Sequence, residues 1–277
     1  MSRDFLRNAD YIRELAAKQK LQEEEAFNAK KRQNQRRKKE AFLRYQQHLN
    51  QQFAKTYGSA YGEESFVNQF STAFDGSNDF AILGSDASRK VQTLTMSVWA
   101  KPEASNRRNI FLNGSHSVGN QGIEIYWNYN QFVARINGTT QSLGAGNGQD
   151  EWTHVAIAYD GSTLKRMVNG VQGSDVSIGA TILYTSYNGL RLSISAYGRF
   201  LGKIDEAAFW TSDQSANFAT MYNGGVPGGL SSLSPNSWYR MGDGDTFPDL
   251  IDHGSGGFNG ELKNMTAGDI QGDIPEL

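Results

Sequence analysis

Cysteine is absent from the 277-residue chain, which excludes disulfide bonds, cysteine-ligated zinc or iron–sulfur sites and a thiol nucleophile. No apolar run approaches the ~18 residues that a membrane helix needs, and no signal-peptide core follows Met1, so we expect no membrane insertion. Glycine, proline and tryptophan are missing from the first 57 residues, although the chain holds 30, 5 and 5 of them. The first fifth of the chain therefore differs physically from the rest.

Charge divides the chain at the same place. Residues 1–57 hold 14 of the 27 Lys and Arg but only 7 of the 29 Asp and Glu, a net charge of +7, which leaves −9 on the remaining residues. The N-terminal part is also rich in strong helix formers such as Ala, Leu, Glu, Lys and Gln. We predict a long, basic α-helical anchor or oligomerisation segment over residues 1–60 and a separate domain over residues 61–277.

Two groups of residues in the basic segment are candidate partner contacts. The first is a run of cations, and the second is an apolar stripe whose members are spaced three or four apart. They are Lys30, Lys31, Arg32, Arg36, Arg37, Lys38 and Lys39, followed by Phe42, Tyr45, Leu49 and Phe53. The cations fit an anionic partner, either nucleic acid or an acidic protein surface, or equally a solvated helix with no partner. The stripe fits self-association into a homo-oligomer.

After residue 61 the sequence consists of short β-prone runs separated by Gly, Asn, Asp and Ser. Turn dipeptides such as Asn137-Gly138 and Asn169-Gly170 separate many of the runs. One brief helix is predicted at residues 213–222. The predicted strands are 66–74, 80–83, 94–101, 109–112, 122–127, 132–136, 152–159, 164–168, 190–195, 203–210 and 238–241. This pattern predicts a mainly-β protein with an antiparallel sandwich or jelly-roll fold.

Four of these segments resemble the laminin G-like, concanavalin A-like jelly rolls. They read FDGSNDF at 74–80, LTMSVW at 94–99, EWTHVA at 151–156 and FLGKIDEAAF at 200–209. The C-terminal segments WYRMGDGD at 238–245, FNG at 258–260 and DIP at 273–275 resemble virion structural proteins of marine tailed bacteriophages, the cyanophages especially. The resemblance implies a virion protein, assembled in the host cytoplasm, whose N-terminal helix contacts other virion proteins.

The same resemblance implies a calcium site, although no cofactor is required. Laminin G-like domains often bind Ca²⁺ through loop carboxylates, the oxygen ligands that this ion prefers. The candidate ligands are Asp75, Asp79 and Asp205. The alternative is that Asp75 and Asp79 form Asx turns and that Asp205 bonds to a loop.

Glycan recognition is predicted where aromatic side chains stand beside amides and hydroxyls, because sugars present C–H faces and many hydroxyl groups. The candidates are Trp127 and Tyr129 at a hairpin tip and Tyr184 and Tyr187 in a long loop, with Arg107 and Arg108 as contacts to an acidic polysaccharide. The alternative for each aromatic residue is a place in the core or at a sheet edge.

No catalytic motif is found. The Glu-x-Asp-x-x-Glu string of jelly-roll glucanases is absent, and adjacent carboxylates such as Asp205 and Glu206 would point to opposite faces of an extended strand. We therefore predict a non-enzymatic tail-fibre or appendage protein that displays a glycan-binding sandwich for attachment to a host. The alternatives are a capsid-decoration or connector-associated protein that binds no sugar and, third, a cellular carbohydrate-binding module.

Overall fold

The computed structural model describes residues 18–20, 30, 66–104, 108–115, 121–194 and 198–276. Contacts divide the chain into two units, Met1–Ser65 and Phe66–Leu277. In the first unit, residues 18–20 and Lys30 are helical and exposed. The other anchor candidates lie outside the described residues: Lys31, Arg32, Arg36, Arg37, Lys38, Lys39, Phe42, Tyr45, Leu49 and Phe53.

The described residues of the second unit form seventeen strands. In chain order they are β1 (Ser71–Asp75), β2 (Phe80–Ile82), β3 (Leu94–Pro102), β4 (Arg108–Gly114), β5 (Gly122–Trp127), β6 (Phe132–Ile136), β7 (Thr139–Gly144), β8 (Thr153–Tyr159), β9 (Thr163–Val168), β10 (Val171–Gln172), β11 (Val176–Ser177), β12 (Gly189–Leu192), β13 (Leu201–Trp210), β14 (Ser237–Tyr239), β15 (Asp249–Leu250), β16 (Gly260–Lys263) and β17 (Ile270–Gln271). One α-helix, Phe218–Tyr222, and several 3₁₀ turns complete the second unit.

The strands pair into two antiparallel sheets. The nine-stranded sheet has the order β10-β9-β8-β3-β13-β1-β17, with β11 beside β9 and β14 beside β13. The eight-stranded sheet has the order β15-β16-β2-β12-β4-β5-β6-β7. This arrangement confirms the predicted mainly-β jelly-roll sandwich. Among the described residues, no helix is long and apolar enough to cross a membrane.

Strand alternation places the main core between the sheets. On β8, Val155, Ile157 and Tyr159 face the core, while Ala156 and Ala158 face the opposite side. That opposite side, the outer face of the nine-stranded sheet, is covered by a second apolar cluster that includes the helix residues Phe218 and Met221, together with Leu230 and Trp238. A sheet covered on both faces explains why most of β8 and the end of β13, residues 207–210, read as apolar runs.

Residues 66–70 differ from the prediction because β1 begins only at Ser71. The segment 66–70, which we call the strap, is bound through side chains instead of a β-ladder. Asp243 accepts hydrogen bonds from the amides of Gln69 (2.9 Å) and Phe70 (3.3 Å), and Arg240 donates to the carbonyl of Val67. The apolar residues of the strap indicate that the segment is buried. The sequence pattern alone does not show whether such a segment is a strand or a loop held by side chains.

Candidate functional site

The hairpin joining β5 to β6 ends in a two-residue turn at Tyr129 and Asn130. The flanking residues Asn128 and Gln131 close it with two backbone hydrogen bonds, of 2.8 and 3.3 Å. Both central residues have positive φ, 45° at Tyr129 and 72° at Asn130, which is the pattern of a type I′ turn. This turn matches the right-handed twist of the strands, so it fixes where the Tyr129 ring emerges.

Tyrosine is an unusual residue at this position. The turns after β6 and β9 also have two positive φ values, and they use Asn137-Gly138 and Asn169-Gly170, the residue types that tolerate a left-handed backbone. A bulky side chain there is strained, by an amount on the order of 1 kcal/mol. Tyr129 is nevertheless 69% exposed, whereas every other described Phe, Tyr and Trp is buried or partly buried. Nothing in the folded core requires an aromatic residue here.

Uncharged polar side chains surround the tip on the outer face of the eight-stranded sheet. Ser142 on β7 lies opposite Val133 on β6, and its hydroxyl donates to the Gln131 side-chain carbonyl at 2.6 Å. Two positions earlier on β7, Thr140 is also exposed. The tip therefore presents an aromatic ring beside amide and hydroxyl groups, the combination predicted for a glycan site.

The centre of the same face holds a buried ion pair. Arg135 and Glu124 lie opposite each other on β6 and β5, with 2.6 Å between the guanidinium and the carboxylate, and both side chains are at most 5% exposed. Asn109 on β4 donates to the other carboxylate oxygen of Glu124 at 2.8 Å. The Glu124 carboxylate thus neutralises the Arg135 guanidinium, so this pair does not leave a net charge near the tip.

The prediction that Trp127 contacts sugar is wrong. Trp127 is fully buried, donates through its indole N–H to the Ala104 carbonyl at 2.7 Å and packs edge-on against Phe132 at 4.8 Å. Arg108 lies opposite Trp127 in the β4–β5 register and so occupies the row whose side chains face inward, not that of Asn109. Arg107 lies outside the described residues.

The other two aromatic candidates, Tyr184 and Tyr187, lie together at the opposite end of the strands. Their rings are 5.5 Å apart, and the hydroxyl of Tyr187 donates to Asn113 at 3.0 Å while that of Tyr184 donates to the Val91 carbonyl at 2.8 Å. Burial raises the pKa of both hydroxyls. Asn113 pairs with Ile123 near the start of β5, about 13 Å along the strand from Trp127. The predicted aromatic surface is therefore split into two places.

The three calcium candidates are not brought together. Asp75 accepts the amides of Ser77 (2.8 Å) and Asn78 (3.2 Å) in an Asx turn, and Asp79 accepts the amide of Asp75 at 3.0 Å. The β1–β13 register places Asp205 about 13 Å along the strand from Asp75. Among the described residues, no group of three or more His, Asp or Glu side chains is arranged to hold a metal ion. These residues do not fit the calcium site that the resemblance implies.

A buried carboxylate cluster that the sequence did not predict lies under the strap. A β-bulge with positive φ at Glu206 (48°) turns Asp205 and Glu206 to the same side of β13, contrary to the expectation for an extended strand. Asp205 accepts from Asn68 of the strap at 2.7 Å, and Glu206 accepts from Trp238 and from Arg240. Burial raises the pKa of Glu206 to about 7 and raises that of Asp205 further above its usual range.

A histidine–serine pair is enclosed on the same outer face of the nine-stranded sheet. The His154 Nε2 atom lies 2.8 Å from the Ser97 hydroxyl, and the rings of Trp99 and Tyr222 lie 5.0 and 5.9 Å from the imidazole. Burial lowers the pKa of His154 to about 3, so the ring is neutral at physiological pH. Both side chains are buried, which fits a structural role for this pair rather than a catalytic one.

Two antiparallel sheets with this strand order define a lectin-like jelly roll, and the family comparison agrees. Residues 75–217, slightly more than half of the chain, match the laminin G-type family model of the concanavalin A-like lectin/glucanases superfamily. The chain belongs to this family. No curated protein sequence matches the chain.

The fold is shared with a solved structure, and two further structures are similar over slightly more than half of this chain. A candidate carbohydrate-binding protein from Bacteroides ovatus has a TM-score of 0.59 at 16% identity, covering 78% of this chain and 63% of that one. The chain thus spans less than two thirds of that protein. The sialidase CBM40 domain of Ruminococcus gnavus bound to α2,3-sialyllactose has a TM-score of 0.48 at 15% identity, covering 57% and 98%. The SAP-like pentraxin of Limulus polyphemus has a TM-score of 0.44 at 14% identity, covering 56% of this chain and 82% of that one. At these identities the likeness concerns the fold alone.

Proposed function

We propose that this protein recognises carbohydrate, without hydrolysing it, through the aromatic tip at Tyr129. The observation that carries the proposal is the exposure of Tyr129 in a turn with a left-handed backbone. The turns after β6 and β9 have the same backbone signs but use Asn-Gly. A tyrosine ring offers a flat face for the C–H groups of a sugar, and the neighbouring Gln131 and Ser142 offer hydrogen-bonding groups for its hydroxyls. Membership of the concanavalin A-like lectin/glucanases superfamily and the similarity to the carbohydrate-binding candidate of Bacteroides ovatus support the same class of ligand.

Binding without hydrolysis is proposed because the buried carboxylates of the two sheets are engaged by other side chains. Retaining glycosidases need two carboxylates about 5–5.5 Å apart that reach the scissile bond. Asp205 and Glu206 are buried and accept hydrogen bonds from Asn68, Trp238 and Arg240, while Glu124 is paired with Arg135. None of these acids is open to a polysaccharide chain.

The full protein is proposed to act in a phage particle, as a tail-fibre or appendage component held by its basic N-terminal segment. The support is the sequence resemblance of the C-terminal residues and the charge contrast of +7 against −9. The alternative is a capsid-decoration protein. Antibody labelling of purified particles distinguishes the two, because label on fibres supports attachment and label over the head supports decoration. Replacing Arg36 and Arg37 with Glu tests the anchor, since a basic anchor predicts loss from particles.

The glycan proposal is tested by replacing Tyr129 with Asn in the full chain. Asparagine is favoured at this turn position, so we expect thermal stability to stay equal or rise while glycan binding falls by roughly tenfold or more. Glycan-array binding and a thermal melt are measured on the same preparation. Val171→Ala is the matched control, because Val171 is 74% exposed but lies on the nine-stranded sheet. Equal binding by Tyr129→Asn and the parent protein would contradict the role of the tip.

A further inference from the structure

We propose that the ligand of the Tyr129 tip is a neutral, hydroxyl-rich saccharide and not an acidic one. This inference rests on the proposed function and specifies its ligand. It differs from the expectation, based on Arg107 and Arg108, that the contact would be to an acidic polysaccharide. The observation behind it is that, among the described residues, the strands β6 and β7 beside the tip carry no net charge once Arg135 is paired with Glu124.

The sequence around the tip is poor in charge. Residues 128–149, which include β6, β7 and both adjoining turns, contain a single charged residue, Arg135, whereas 20% of the whole chain is Asp, Glu, Lys or Arg. A random stretch of that length would hold about four. Exposed strands usually carry charged residues, which also protect an edge strand from unwanted pairing. Strand β7 is such an edge and has none.

Arg135 does not supply a free charge. Its guanidinium lies 2.6 Å from the Glu124 carboxylate, and both side chains are almost fully buried. An acidic sugar that approached this pair would be repelled by the Glu124 carboxylate, or would have to displace that carboxylate from Arg135. The desolvation of a carboxylate or sulfate group would then be uncompensated, at a large cost in binding free energy.

The exposed groups suit a neutral ligand. Asn130, Thr140 and Ser142 are exposed, and Gln131 is partly exposed beside Tyr129. Hydroxyl and amide groups both donate and accept hydrogen bonds, as sugar hydroxyls do, so either partner can adjust to the other. No ionic partner is required for such contacts.

The wider field also disfavours an anion. The residues after position 57 carry a net charge of −9, and the loop after β7 adds Asp150 and Glu151, both exposed. The row of Arg108 in the β4–β5 register faces inward, away from the row of Asn109 and Tyr126. A negatively charged polysaccharide would meet repulsion from the domain as a whole.

The test compares two sets of glycans on one array with the full chain: neutral gluco-, galacto- and manno-oligosaccharides, and oligosaccharides with uronic acid, sialic acid or sulfate. Binding is measured at 50 and 500 mM NaCl. We expect neutral glycans to bind with less than a twofold change between the two salt concentrations, and Tyr129→Asn to abolish most of the signal. Ser142→Ala should weaken binding severalfold, whereas Ser177→Ala, an exposed serine on the other sheet, should not.

The outcomes separate the two proposals. Tyr129-dependent binding of acidic glycans alone, weakened tenfold or more by salt, would overturn the inference of a neutral ligand and leave the proposed function standing. Binding of no glycan in either set, or binding that Tyr129→Asn does not change, would overturn the proposed function and the inference with it.

Discussion

The outer face of the nine-stranded sheet and the β5–β6 tip both use aromatic side chains, in opposite ways. On the former, Trp238 stacks on Phe66 with 6.1 Å between centroids, Trp99 stacks on Tyr222 at 6.0 Å, and the Trp238 indole donates to Glu206. At the tip, Tyr129 is open to solvent on a strained backbone. Enclosed rings with satisfied polar atoms stabilise the fold, whereas an exposed ring that the fold does not need is available for recognition.

The strap makes the contrast sharper, because the enclosed aromatics bind it to the outer face of the nine-stranded sheet. Arg240 lies over the Phe66 ring at 4.5 Å and also binds Glu206 at 3.3 Å. Residues 66–70 are the first residues of the second unit, and these contacts bind them to the outer face of the nine-stranded sheet. The enclosed aromatics therefore stabilise the second unit, whereas the Tyr129 ring stays open to solvent.

The largest expected effect is on stability, from Trp238→Ala. The substitution removes a buried indole from the second cluster, its stack on Phe66 and its hydrogen bond to Glu206, so the free energy of unfolding should fall by about 3–5 kcal/mol. Urea unfolding measures the loss. Glycan binding by the fraction that stays folded should match the parent protein. A loss below 1 kcal/mol would show that the cluster does not stabilise the fold as argued.

The next effect is a pH dependence that comes from Glu206. Burial raises the pKa of this carboxyl from its ordinary value of 4.5 to about 7, so between these values the folded state binds more protons than the unfolded state. The contribution of this group to stability is therefore lost as pH rises from 4.5 to about 7, and above pH 7 it changes no further. Glu206→Gln removes the contribution of this group to the slope, so the variant should gain stability relative to the parent protein by roughly 3 kcal/mol across that window.

The comparison must be made as a difference between the two proteins because His154 acts in the other direction. Its pKa is lowered from 6.5 to about 3, so the unfolded state takes up a proton that the folded state refuses, and stability falls as pH drops below 6.5. Both proteins contain His154, and its contribution cancels in the difference. Glu261→Gln, on the surface of the other sheet, is the control. A stability difference for Glu206→Gln that stays constant from pH 5 to 8 would refute the prediction.

Much of the fold could be predicted from sequence, because β-strands with one buried face keep a period of two. The alternation in β3 and β8 predicts which side chains enter the core, and the Asn-Gly dipeptides predict the turns. Strands β7, β10, β11, β15, β16 and β17 were missed because they are mostly polar or only two residues long.

The site was predicted only in part, for reasons that differ between residues. Trp127 follows Ile123 and Ile125 on alternate positions, so the period of β5 contained the signal for its burial, but the aromatic run that continues to Tyr129 obscured it. Asp205 and Glu206 point to the same side of β13 because of a β-bulge, which no local residue pattern predicts. The approach of the strap to Asp243 is a contact across 174 residues.

The smallest expected effect compares the same Tyr→Phe change at the two aromatic places on the eight-stranded sheet. In Tyr187→Phe the buried Asn113 side-chain carbonyl loses its 3.0 Å hydroxyl donor, which should cost about 1–2 kcal/mol of unfolding free energy. In Tyr129→Phe the exposed ring keeps its stacking face, so stability should change by less than about 0.5 kcal/mol. Thermal melts of the two variants in one buffer measure the contrast. If Tyr187→Phe melts at the same temperature as Tyr129→Phe but loses glycan binding, the ligand binds at the Tyr184–Tyr187 pair and not at the tip.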